Sequence, residues 1–315
     1  MGQTHAPRWA AQDGVRVVGV HSRSRARAEA LASPLGAAAT DDLGALLDLE
    51  ADVVDICLPT DRHAEVAVQA FAAGRHVVCE KPIALEPADG ERMAAAARAA
   101  GRLLLVAHVV RFWPEYARLR AMLAEGAIGR PTSAAAERLQ EGPGWAPDAG
   151  AVRAGSGGPP VDLQIHDHDY LAWIFGMPRW VSAVGGDRHI FTSYAFDGAA
   201  ATAEAACDLP AGYPFTSTVR VRGEGGVLEY DFRAGGVRPD EAGGLSQLVL
   251  HRPQRAPELI AVEGADAYSA QIAHFAACLR RGEPSPVVSP EAAIRSLRIA
   301  LAARRALDSG GPACP

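Results

Sequence analysis

The 315-residue sequence contains no run of about eighteen uninterrupted apolar residues, the length that crosses a bilayer as a helix, which argues against a membrane span. It has no basic block or tail: 31 Lys and Arg are scattered among 37 Asp and Glu, for a net charge of −6. Binding to nucleic acid needs clustered cations along the phosphates, so nucleic acid is not the expected partner. The first residues lack the charged-then-apolar design of a secretory leader. Five cysteines (Cys57, Cys79, Cys207, Cys278, Cys314) never form a C-x-x-C pair. Cys57 and Cys79 fall in apolar runs and read as buried thiols of a reduced, cytoplasmic protein. No internal repeat or low-complexity block is present.

What is present is ordinary in amount and regular in arrangement. Apolar residues make up 49% and charged residues 22%, and the length predicts two domains. VRVVGV (15–20) precedes an Ala-rich helical stretch at 24–32. DVVDICLP (52–59) precedes HAEVAVQAFAAG (63–74), and HVVCEKP (76–82) precedes a helix over 87–100 and then LLLVAHVV (103–110). Continuous apolar strands alternating with helices predict a doubly wound parallel sheet, α/β in class, over residues 1–112. Beyond it the pattern changes. A helix over 114–129, a Gly/Pro-rich loop at 141–160 and a helix over 161–176 lead into short strand-like runs between 180 and 262. Helices over 266–281 and 289–307 close the chain. Residues 113–315 are therefore expected to form an α+β domain on one open antiparallel sheet.

In open α/β sheets ligands bind beyond the carboxyl ends of the strands. Three strand ends carry polar residues: His21, Ser22 and Arg23; Pro59, Thr60 and His63; Glu80, Lys81 and Pro82. An isolated E-K-P is ordinarily an exposed loop pair, but here it closes a buried strand, third in a βαβ series. Asp162 and His166 are four apart on an expected helix and so share one face. By itself that spacing also fits an acid favoured by the helix dipole at an N-terminus. The run His166-Asp167-His168-Asp169, with His108 elsewhere, invites a metal reading. No third ligand stands at a fixed spacing, and no metal is expected.

HVVCEKP, P-T-x-x-H (59–63) and GGPPVDLQIHDHD (157–169) resemble the Gfo/Idh/MocA family of NAD(P)-dependent oxidoreductases. RFWPEY (111–116), EGAIGRP (125–131) and the hairpin-like GEGGVLEYD (223–231) extend the resemblance over nearly the whole chain. It implies hydride transfer between NAD(P) and a secondary hydroxyl or ketone of a sugar, cyclitol or related polyol. It places Lys81 at the nicotinamide and gives Asp162 and His166 substrate-binding and acid–base roles. Gly2, Ser22, Arg23, Pro59, Thr60, His63 and Glu80 join Lys81 as expected cofactor contacts, and Arg111 joins Asp162 and His166 as an expected substrate contact. The chemistry agrees: oxidising an alcohol needs a base near neutral pKa, which imidazole supplies, and a cation beside the developing alkoxide. A cofactor-binding regulator of the same fold, without catalysis, and a truncated inactive enzyme are the alternatives. No acid follows VRVVGVH, and Arg23, Arg25 and Arg27 stand near, which favours NADP over NAD. The sheet of the second domain resembles the family's oligomer surface, so a homodimer or homotetramer is expected.

The beginning of the sequence poses one further question. A helix over 3–12 feeding a buried strand is half of a βαβ unit, and the resemblance aligns Gly2 with the third glycine of G-x-G-x-x-G. The first strand and first two glycines of that fingerprint precede Met1 in this alignment, so the chain is expected to leave two strands unpaired and bind little cofactor. A leading helix with no strand before it is the alternative.

Overall fold

The structure, a computed structural model, describes residues 1–142, 158–186, 188–234 and 244–315. The chain divides into two compact units, Met1–Phe112 with Ala265–Glu291, and Trp113–Gly264 with Ala292–Pro315. The division at 112/113 coincides with the composition change. The expected single span 113–315 needs correction, because residues 265–291 group with the first unit. Their side chains explain it: Phe275 meets Phe112 edge-on at 5.6 Å, and Asp266 pairs with Arg8 at 3.0 Å.

In the first unit, α1 (Gly2–Ala10) leads to β1 (Gly19–His21), α2 (Arg25–Ala32), β2 (Ala38–Thr40) and α3 (Leu43–Leu47). Ser24 caps α2, and the Asp42 carboxylate caps α3 by accepting from the Gly44 amide at 2.8 Å. β3 (Val53–Ile56), α4 (His63–Ala72), β4 (His76–Glu80), α5 (Pro87–Ala100) and β5 (Leu104–Ala107) follow. Pro87 opens α5 and Gly101, at φ 62, closes it. All strand pairs are parallel, but they form two separate sheets, β1-β2 and β3-β4-β5. Of the apolar run 15–20 only Gly19 and Val20 lie in a strand, paired there with Ala38 and Ala39 of β2.

Among the described residues the second unit is built on eight strands in the order β13-β12-β11-β10-β6-β9-β8-β7. These are β6 (Pro131–Glu141), β7 (Trp180–Gly185), β8 (His189–Phe196), β9 (Ala199–Leu209), β10 (Thr216–Gly223), β11 (Gly226–Arg233), β12 (Leu245–His251) and β13 (Glu258–Ile260). The sheet is mixed, not antiparallel throughout as expected, since β6 runs parallel to β9 at its centre. β6 is also a strand where none was expected. α6 (Pro114–Ala124) and the helix Ile165–Phe175 cover one face. Tyr116 lies edge-on to Tyr170 at 4.7 Å and to Tyr230 at 5.1 Å, in the core beneath them. The expected loop 141–160 falls mostly on residues 143–157, outside the described residues.

Candidate active site

β4 is buried along its last four residues and delivers Glu80 and Lys81 to its carboxyl end. The peptide from Lys81 to Pro82 is cis, and the Lys81 amide donates to Glu80 Oε2 at 3.1 Å. Lys81 is half-buried, and it is the only lysine in the sequence. Glu80 is buried and faces His5 Nε2 at 3.1 Å. One strand away, Thr60 is buried while Pro59 stays exposed. His63 is buried with Nδ1 2.9 Å from the Pro82 carbonyl and Nε2 2.9 Å from the Leu58 carbonyl. Burial holds His63 below the ordinary imidazole value. Its ring thus spans the two loops that follow β3 and β4 and fixes their spacing.

Sequence reading missed His5. Its Nδ1 meets Asp55 Oδ2 at 2.8 Å, and Trp9 Nε1 donates to the same oxygen at 2.7 Å. Burial alone would lower His5, but hydrogen bonds to Asp55, Cys57 and Glu80 and the Asp55 charge raise it to about 12. Burial and Asp55 together push the Cys57 thiol up to about 12. His5, Asp55 and Cys57 alone among the described residues bring ligand-type atoms close enough to share a metal. Asp55 Oδ2, however, is already taken by His5 and by the Trp9 N–H, and the arrangement reads as a hydrogen-bonded ion network. An available signal was Asp55 itself, an acid inside the apolar run DVVDICLP that required a buried partner.

A cavity of about 1320 Å³ adjoins this network, walled by Gly2, Ser22, Arg23, Arg27, Cys57 and Pro59 among others. Gly2 opens α1, Ser22 is half-buried and Arg23 is exposed. A helix N-terminus with arginines beside it suits the phosphates of a dinucleotide, so these residues fit the cofactor implied by the sequence. Arg111 is buried, and its Nη1 donates to the Val287 carbonyl at 2.7 Å. The structure thus gives Arg111 a scaffold contact beside its expected substrate role.

In the second unit the expected helix over 161–176 is two helices, Pro159–Asp162 and Ile165–Phe175. The break has a cause at Gln164: buried, it donates to the Ala203 carbonyl at 3.1 Å and accepts from Thr192 at 2.7 Å. Asp162 and His166 are both half-buried. The three residues after His166 are buried and fixed to the scaffold. Asp167 takes a two-pronged ion pair from Arg138, at 2.8 and 3.1 Å. His168 Nδ1 lies 2.7 Å from the Tyr194 hydroxyl, and Asp169 accepts from Ser296 at 2.7 Å. His166 is therefore displayed from a turn whose neighbours cannot rotate, which is how a site is pre-organised.

Residues 1–108 match the oxidoreductase family with an NAD-binding Rossmann fold, and residues 116–229 match the Gfo/Idh/MocA C-terminal domain. The chain belongs to the Gfo/Idh/MocA family. Scyllo-inositol 2-dehydrogenase (NAD(+)) of Bacillus subtilis is 27% identical over 317 residues, spanning 95% of this chain and 88% of that protein. D-glucoside 3-dehydrogenase of Escherichia coli is 33% identical over 180 residues, 56% of this chain. That match spans about half of the E. coli protein, 51%. The solved UDP-N-acetylglucosamine 3-dehydrogenase of Acidithiobacillus ferrooxidans superposes with a TM-score of 0.82 at 25% identity, over 98% of this chain and 95% of that one. This Gfo/Idh/MocA chain thus carries both family domains.

Proposed function

We propose that this family member transfers a hydride between NAD(P) and a secondary hydroxyl or ketone of a sugar, cyclitol or related polyol. The observation that carries the reading is the lone lysine. Of 31 basic side chains, one is lysine, and it stands at the carboxyl end of a buried parallel strand. A compact ammonium that donates to one oxygen is not replaced there by a planar guanidinium. When bound, the nicotinamide supplies the hydride acceptor or donor. His166 takes the hydroxyl proton during oxidation and returns it during reduction. Asp162 holds the substrate hydroxyl or steadies the imidazole. Lys81 donates to the reacting oxygen where negative charge grows. The support is chemical and familial: relatives bear the names of inositol and sugar dehydrogenases.

Arg23 and its neighbours Arg25 and Arg27 favour NADP, since a guanidinium holds a 2′-phosphate in two-pronged contact. The open face of the mixed sheet, where Trp180, Val184 and Phe191 are exposed, is the proposed surface for a second copy of the chain. The cysteines are free, as in a reducing cytoplasmic setting. Among the described residues no helix is long and apolar enough to cross a membrane. The test is a sugar and cyclitol panel read by nicotinamide absorbance on the chain and on Lys81→Met, Lys81→Arg and His166→Ala. For any substrate that the parent turns over, each variant should be slower by on the order of 10²–10³. Cofactor binding with no turnover across the panel would favour a regulator instead.

A further inference from the structure

Every residue from Gln164 to Tyr170 is buried except His166, which is half-buried. Two ties to a single strand underlie that pattern. Gln164 accepts from the Thr192 hydroxyl at 2.7 Å, and His168 Nδ1 lies 2.7 Å from the Tyr194 hydroxyl. Thr192 and Tyr194 are both buried and stand two apart on β8, so they project from one face. Two residues of strand advance about 6.7 Å, and four residues of helix advance about 6 Å. The repeats match, and the turn from Gln164 to His168 is held to β8 at both ends. At about 100° per residue, the anchored pair is centred about 180° from His166, which therefore points away from the sheet. Asp167 and Asp169, tied to Arg138 and Ser296, come on its two flanks.

The first tie has a direction. The Ala203 carbonyl can only accept, so the Gln164 amide nitrogen faces it at 3.1 Å and leaves Oε1 to Thr192. Thr192 must then be the donor. Thr192 and Ala203 are opposite each other in the β8–β9 register, so the Gln164 side chain bridges one cross-strand pair. Gln164 makes no cap bond to the helix it precedes; its hydrogen bonds go to the sheet instead. It stands two residues after Asp162 and two before His166, midway between the groups given acid–base and hydroxyl-binding roles.

We propose that Thr192 and Tyr194 are positioning residues for His166, acting through Gln164 and His168. Their effect on the reaction rests on the acid–base role proposed for His166; their effect on the ring does not.

Thr192→Val keeps the side-chain shape and removes the donor, Tyr194→Phe removes one oxygen, and Thr192→Ser keeps the donor. These chains, and one carrying both Thr192→Val and Tyr194→Phe, are compared with the parent; should the double variant not fold, the single variants carry the test. The His166 ring is followed by its Cε1–H proton signal, assigned by its loss in His166→Gln. kcat and KM are measured on a sugar or cyclitol that the parent turns over. Thr192→Val and Tyr194→Phe should each broaden or split the ring signal. kcat should fall about tenfold in each and about a hundredfold in both together, as for a small misplacement of a reacting group, with KM within about twofold. Thr192→Ser should behave as the parent in both readouts. An unchanged ring signal in either single variant, an unchanged kcat beside a changed ring, or a Thr192→Ser chain that behaves as Thr192→Val overturns the inference. A parent without turnover, or full activity in His166→Ala, counts instead against the proposed reaction, and the ring signal still decides the inference.

Discussion

Removing the guanidinium of Arg138 should unfold the second unit at markedly lower temperature, by an amount its surroundings allow to be worked out. The Arg138 and Asp167 side chains are 3% and 2% exposed, and the pair makes two parallel hydrogen bonds. Burial alone would pull Arg138 down, but the Asp167 charge beside it overcomes that and holds it above its ordinary value, while burial raises Asp167 against the opposing pull of the Arg138 charge. Arg138→Met leaves a carboxylate buried without its partner, and breaking such a pair costs about 3–5 kcal/mol. For a unit of this size, each kcal/mol lowers Tm by roughly 2–4 °C, which gives a loss of roughly 6–20 °C. Asp167→Leu should cost a similar amount. The double variant should recover most of the loss, because apolar groups of similar volume leave no charge behind. Calorimetry on the parent, both single variants and the double variant tests this. A loss below about 1 kcal/mol in Arg138→Met, or a double variant whose loss equals the sum of the two, would refute the reasoning.

Arg23→Ala should weaken NADP binding by roughly tenfold or more while leaving NAD nearly unchanged, as titration of both cofactors would show. The His5 pair should also give stability a pH dependence. Its folded value, raised from 6.5 to about 12, means that the contribution is full below 6.5 and is lost as pH rises from there towards 12. Cys57 titrates from 9.0 in the unfolded chain, so the window between 6.5 and 9.0 reports His5 alone of the two. Tm should fall across that window in the parent and stay nearly flat in His5→Gln, and equal slopes would count against the network. Val184 and Phe191 are cross-strand partners on the open sheet face, 67% and 46% exposed. If that face joins two copies, Val184→Glu with Phe191→Glu should reduce the mass measured by light scattering to that of a single chain.

The strands that could be read from sequence are those whose burial is written in consecutive residues. HVVCE and LLVA are apolar on both faces and became β4 and β5. β6 could not be read, because PTSAAAERLQE carries alanines that favour a helix, and its strand character comes from neighbours β9 and β10 far along the chain. Asp162 and His166 were legible as a pair, but the break between their helices was not, since Gln164 finds its partners at Thr192 and Ala203. The roles of Asp167 and Asp169 were hidden for the same reason. Their partners, Arg138 and Ser296, lie 29 and 127 residues away. Lys81 stood out because strand and loop are adjacent in sequence, whereas His5 needed a contact with Asp55 across 50 residues.

The return of Ala265–Glu291 to the first unit has a bearing on how the chain is made. On the ribosome, Met1–Phe112 emerges early but lacks the helix Ala267–Arg281, whose Phe275 packs on Phe112. That helix is synthesised only after every strand of the mixed sheet. The nascent nucleotide-binding half must therefore wait, incompletely covered, while the other half is translated, and cutting the gene at codon 112 would not yield a finished domain.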